Sequence, residues 1–185
     1  MLYTNKYRIL TLILTIFAFT IIGCDESEEH EESQDEHVCE HFLYGPEVEM
    51  TASADYQSAI DNYNADATYL VQYELHTRYD VMLLADTSGH YYGHVPYRPI
   101  SDEGDYILYM DQAVDVTIRN TEDGSVVVAE ETEDHSDDCA AVTYKGVYHL
   151  HADDTYVLSF DDLHESTIGM LFPKAADEDE DDHDH

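Results

Sequence analysis

Positive charge is scarce in this sequence. Seven Lys and Arg stand against 42 Asp and Glu, for a formal net charge of −35. A chain so charged repels phosphate backbones and anionic headgroups and draws in cations, so nucleic acid is excluded as a partner. Tryptophan is absent, which removes the largest stacking face available to a sugar-binding site. Thiols are few: there are three cysteines, none in a C-x-x-C pair. Enzyme signatures are missing as well. "HEESQ" at His30 lacks the second histidine of H-E-x-x-H, and no G-x-S-x-G, Gly-rich phosphate loop or EF-hand glycine is found. The chain is not expected to be an enzyme.

Long apolar runs are also lacking, with one exception. Behind Lys6 and Arg8, Ile9 to Ile22 reads "ILTLILTIFAFTII", followed by Gly23 and Cys24. This is shorter than the roughly 20 residues that span a bilayer, and it suits the h-region of a secretory signal, roughly 7 to 15 residues long. Ile21, Ile22, Gly23 and Cys24 resemble the lipobox of bacterial lipoproteins processed by the type II signal peptidase. The resemblance implies that residues 1–23 are a signal peptide and that Cys24 becomes the acylated first residue of the mature protein. The protein would then be exported and held on the bacterial membrane by a lipid anchor, facing the periplasm or exterior. Several acyl chains give a firm anchor where one alone binds marginally.

Composition divides the mature chain. Residues 24–37 and 177–185, the latter "DEDEDDHDH", are acidic, contain histidine and hold no large apolar residue, so they are expected to be a disordered tether and tail. Between them, residues 38–176 are long enough for one cored domain. Its apolar runs are short, often alternating, and rich in Val, Ile, Thr and Tyr: "VEMTAS", "TYLVQYEL", "RYDVMLLA", "DYILYM", "VDVTI", "SVVVAE", "VTYKGVYHL", "TYVLSF" and "TIGMLF". Turn sequences such as "DTSG" and "TEDG" separate them. No sustained helical period appears, although "DYQSAIDNY" has room for a turn or two. The pattern predicts an all-β fold, an antiparallel β-sandwich or jelly roll of about nine short strands.

With Cys24 acylated, Cys39 and Cys139 remain as an even pair in an oxidising compartment, which predicts a disulfide. Closing a loop of about 100 residues would contribute about 4 to 5 kcal/mol in the chain-entropy model. It would draw His37, His41 and His135 into one neighbourhood. A thiolate metal site is the alternative.

What the chain has in excess, besides acid, is histidine: twelve, all beyond the apolar run. His37 and His41 flank Cys39, His90 and His94 bracket "YYG", and His149 and His151 bracket one leucine. On an extended strand, residues two or four apart share a face, so His149/His151 and His90/His94 can each present two imidazoles together. With a carboxylate, such a pair suits Zn(II), Cu(II) or Ni(II). The sequence therefore predicts a lipoprotein that binds or buffers a divalent transition metal, Zn(II) or Cu(II) foremost, for a metal-transport or other envelope partner. The competing expectation is a carbohydrate- or polymer-binding or structural envelope sandwich, with Tyr91, Tyr92 and Tyr97 as stacking faces and an acidity that reflects adaptation to salt.

Overall fold

The computed structural model describes residues 33–65, 71–72, 77–99, 102–136 and 139–175. The lipobox with Cys24, most of the acidic tether and the tail lie outside them. In chain order the elements are α1 (Gln34–Tyr44), β1 (Glu47–Thr51), α2 (Tyr56–Ala65), β2 (Val71–Gln72), β3 (Arg78–Met82), β4 (Leu84–Ala85), β5 (Tyr91–Arg98) and β6 (Gly104–Met110). They continue with β7 (Val116–Asn120), β8 (Val126–Val127), β9 (Glu131–Glu133), β10 (Tyr144–Leu150), β11 (Tyr156–Leu163) and β12 (Thr167–Leu171).

The strands form two sheets. The first runs β1-β3-β12-β6-β10-β9, and the second runs β2-β5-β11-β7-β8 with β4 beside β5. Neighbours are antiparallel apart from the pairs β1–β3 and β2–β5, which are parallel. The fold is thus a β-sandwich, as the alternating runs predict. Alternation places Tyr79, Val81, Leu108, Met110, Tyr148, Leu150, Ile168 and Met170 of the first sheet against Val95, Tyr97, Ile118, Leu158 and Phe160 of the second, in one buried core. Tyr97 and Phe172 stack there with ring centroids 4.5 Å apart, and the Tyr97 hydroxyl donates to the Phe172 carbonyl at 3.1 Å.

Several expectations need correction. Ser33 to His37, expected in the tether, belong to a capped helix packed on the domain. Ser33 caps α1, its Oγ accepting from the Glu36 N–H at 3.1 Å, and the acids Asp35 and Glu36 of the first turn suit the helix dipole. Gln34 to His37 looked like tether because the first turn of α1 is polar and the helix buries only Val38 and Phe42, which stand one turn apart and reach a second, smaller core with Ile107, Tyr109, Val142 and Leu171. Strand β5 was hidden by Gly93 and Pro96. The His94 N–H bonds Ser53 on the side away from β11, so Pro96, two residues on, puts its missing donor on that same side and leaves the β11 ladder whole. Tyr97 is fully buried and offers no stacking face.

Sheet one is consequently covered on both faces at β6, which is why "YILYM" shows no polar alternation. Three devices hold α1 on its outer face. The Cys39–Cys139 disulfide, with Cα atoms 5.2 Å apart, closes the predicted long loop. Arg78 lies 4.6 Å over the Phe42 ring and crosses Gly169 so closely that a Cβ there would sit 2.4 Å from its Nη2. Asp35 accepts from Lys145 Nζ at 2.7 Å, Tyr109 Oη at 2.7 Å and Ser136 Oγ at 3.3 Å. Burial pushes the Asp35 carboxyl up, but the hydrogen bonds from Lys145, Tyr109 and Ser136 and the lysine charge outweigh it, and its pKa ends below the ordinary value.

Candidate metal centre

Strands β6 and β10 pair antiparallel with His149 directly opposite Asp105. Directly opposed side chains on one face start about 5 Å apart at Cβ, and here His149 Nδ1 meets Asp105 Oδ1 at 2.8 Å. Both lie on the outer face of sheet one, two positions along from Val147 and Ile107. Glu103, at the entrance to β6, reaches His149 Nε2 with Oε1 at 3.3 Å and His151 Nδ1 with Oε2 at 3.2 Å. Glu130 enters from the segment before β9, where its backbone N–H donates to the Val147 carbonyl at 2.8 Å. Asp105, Glu130 and His149 each offer one ligand atom, all within 4.8 Å of one another.

Three ligands around an ion at about 2.0–2.2 Å stand no more than about 4.4 Å apart. The group must therefore close by a few tenths of an ångström, which side-chain rotation supplies because Glu130 and His149 are exposed and Asp105 partly so. Two carboxylates and an imidazole make a borderline donor set that fits Zn(II) or Cu(II) better than Ca(II) or Mg(II), whose sites are built from oxygen alone. With one ring nitrogen on a metal, the other can stay hydrogen-bonded to a carboxylate, which fixes the ring orientation.

Electrostatics make the group a proton site first. Hydrogen bonds to Asp105 and then Glu103 raise the His149 pKa above its ordinary value. Those from His151 and then His149 lower that of Glu103. No Lys or Arg among the described residues forms an ion pair with these acids. Lys174 is paired with Tyr106 and crosses Gly104, on the face of β6 opposite to that of Asp105.

The structure sorts the predicted ligands. His149 and His151 are brought together, with rings 5.7 Å apart. His37 and His41, one turn apart on α1, meet edge to face with ring centroids 4.6 Å apart. His90 and His94 do not form a shared pair: His94 Nδ1 bonds Ser159 Oγ at 2.8 Å, while His90 pairs with Asp162 and packs on the His164 ring. Among the described residues the grouped ligands are one imidazole and two carboxylates from three segments, rather than clustered imidazoles. Asp105 and Glu130 were not singled out in the sequence because they join His149 only through the β6–β10 register and the chain's passage toward β9.

No helix among the described residues is long and apolar enough to cross a membrane. Compared with protein-family models and with curated proteins, the chain matches none.

Proposed function

We propose that this protein is an extracytoplasmic lipoprotein, anchored through Cys24, that captures a divalent transition metal, Zn(II) or Cu(II), at Asp105, Glu130 and His149 and presents it to an envelope metal-transport partner. The observation that carries this reading is the meeting of a carboxylate, a carboxylate and an imidazole from three segments on a chain of net charge −35. The disulfide supports an oxidising, extracytoplasmic setting. The role is binding and delivery, without catalysis.

Calorimetric titration with Zn(II) and Cu(II) at high salt tests it, on the mature chain and on a chain of residues 33–175, which keeps α1 but drops the acidic ends. The reading expects one ion per trimmed chain, lost when Asp105→Asn, Glu130→Gln and His149→Ala are combined. Binding confined to the untrimmed chain would reduce the function to loose chelation by the His-containing ends. No binding by either would leave the acidity as salt adaptation of a structural sandwich. The anchor is tested separately: Cys24→Ser should abolish incorporation of labelled fatty acid.

A further inference from the structure

One hollow is lined from both sheets, by β7, β8 and β11 of the second and by β9 and β10 of the first. There the chain leaves β8 in the second sheet and enters β9 in the first, and these are among the shortest strands. The hollow is a cavity of about 740 Å³, within the roughly 300–1,000 Å³ of small-molecule sites. Its floor is apolar. Val114, Val116, Val127 and Ala129 line it and pack against the inter-sheet core from outside. Val126 and Val128 continue the apolar surface outward, 48% and 78% exposed. Tyr144 and Tyr148 form one wall, their hydroxyls joined at 2.6 Å.

The polar lining has one sign of charge. Asp115, Asp134, Asp161 and Asp162 all contribute to it, with His164, and no Lys or Arg does. Two of these acids are placed by an irregularity. The register of β11 against β5 slips between Phe160 and Leu163, and Asp162 takes φ +62°, a left-handed conformation that is costly for a residue other than glycine. Bulges of this kind re-aim side chains, and here Asp161 and Asp162 line the cavity.

We propose that this cavity binds an amphiphilic organic cation, an amine or quaternary ammonium on an apolar body. An anion is repelled by four carboxylates. A neutral apolar ligand would bury the valines and leave the carboxylates of Asp115, Asp134 and Asp161 unused, Asp162 being paired with His90. A hydrated metal ion would gain nothing from the valine floor. An ammonium headgroup at the acids with a hydrocarbon tail over Val114, Val116 and Val127 satisfies both halves of the lining. The site is independent of the metal centre: Tyr148 faces inward from β10, whereas His149 faces outward.

Three ligands with the same chain and different charge test this: octylammonium, octanol and octanoate, titrated calorimetrically into the full mature protein. At about 1 M salt the Debye length is about 3 Å, so the diffuse field of the acidic surface is removed while contact pairs persist. The expected result is saturable binding of one octylammonium, about fivefold or more tighter than octanol, with octanoate weakest. Asp115→Asn combined with Asp161→Asn should lower octylammonium to the octanol level and leave octanol unchanged. Val128→Lys, at an exposed position that tolerates substitution, should also weaken octylammonium. Glu49→Gln, on the outer edge of sheet one, should change nothing. Equal affinity for the three ligands, absence of saturable binding, or a loss in Glu49→Gln as large as in the cavity variants would overturn the proposal.

Discussion

Strand β10 carries Lys145 near one end and His149 near the other, both on the outer face of sheet one and about 13 Å apart at about 3.3 Å per residue. At the lysine end, the carboxylate of Asp35 lies under α1 and meets an ammonium and two hydroxyls. At the histidine end, Glu103 and Asp105 pair with imidazoles, and Glu130 stands within 4.8 Å of Asp105 and His149. Where the chain provides a permanent cation, the acid is closed and becomes structure. Where it provides only a titratable one, the acids stay open to a proton or a metal. The scarcity of positive charge leaves few acids with a permanent counter-charge. Beyond Arg8 the chain has five basic residues, of which Arg78 pairs with Asp80 and Asp111, Arg98 with Asp153, and Lys145 with Asp35 and Glu133.

Breaking the closed end should have the largest effect. Cys39→Ser combined with Cys139→Ser removes a cross-link of the kind worth about 2–5 kcal/mol, and Lys145→Met, which strands a partly buried carboxylate, should cost about 2–3 kcal/mol. Urea unfolding measures both, and zinc affinity of the folded protein should be unchanged in Lys145→Met. If affinity falls with stability, the two ends are not independent.

His149→Ala should give the opposite pattern. It removes the only nitrogen of the grouped ligands, so zinc affinity should fall about a hundredfold, about 2.7 kcal/mol. Metal-free stability should move by no more than about 0.5 kcal/mol, as is usual for an exposed side chain. A destabilised apoprotein with affinity retained would reverse the assignment of the two ends.

The ends should also separate by pH. Asp35 has a lowered pKa, so its contribution to stability is complete above the ordinary Asp value, about 3.9, and is lost as pH falls through its folded value. His149 has a raised pKa, so protons begin to compete with metal already above the ordinary imidazole pKa of about 6.5, and affinity falls as pH drops further. On acidification zinc should therefore leave first, with the fold intact, and α1 should loosen only in strong acid. Paired zinc titrations and circular dichroism across pH check the order.

The two ends were not equally legible in the sequence. Alternation in "VTYKGVYHL" and the short β-rich apolar run of "DYILYM" marked the two strands, and the cysteine pair marked the contact that α1 makes. Helix α1 itself was obscured because only Val38 and Phe42 of its face are apolar and buried. The open end was half legible: His149 and His151 stood out, but their acids depend on which strand lies opposite. Asp105 is 44 residues away in sequence and Glu130 arrives from a different connection, and no local pattern encodes that register. The tyrosines misled in the other direction, since a side chain that suits a sugar face also suits a core, and Tyr97 sits in the core with its hydroxyl bonded to Phe172.

The smallest effect distinguishes what Glu103 does at the open end. It bridges His149 and His151 but is not among the three grouped ligands. As a neighbour it acts in two opposed ways: its charge attracts the metal, and it helps to hold the proton that the metal must displace. Glu103→Gln removes both actions. Well above the raised His149 pKa the ring is already neutral, so only the lost attraction remains and zinc affinity should fall about threefold. Near pH 6 the variant ring gives up its proton more readily, which offsets the lost attraction, and the deficit should shrink toward zero. Zinc titrations of wild type and Glu103→Gln at the two pH values read this directly. A deficit that is large and equal at both would mean that Glu103 ligates the metal itself, and the open end would then hold a four-ligand site.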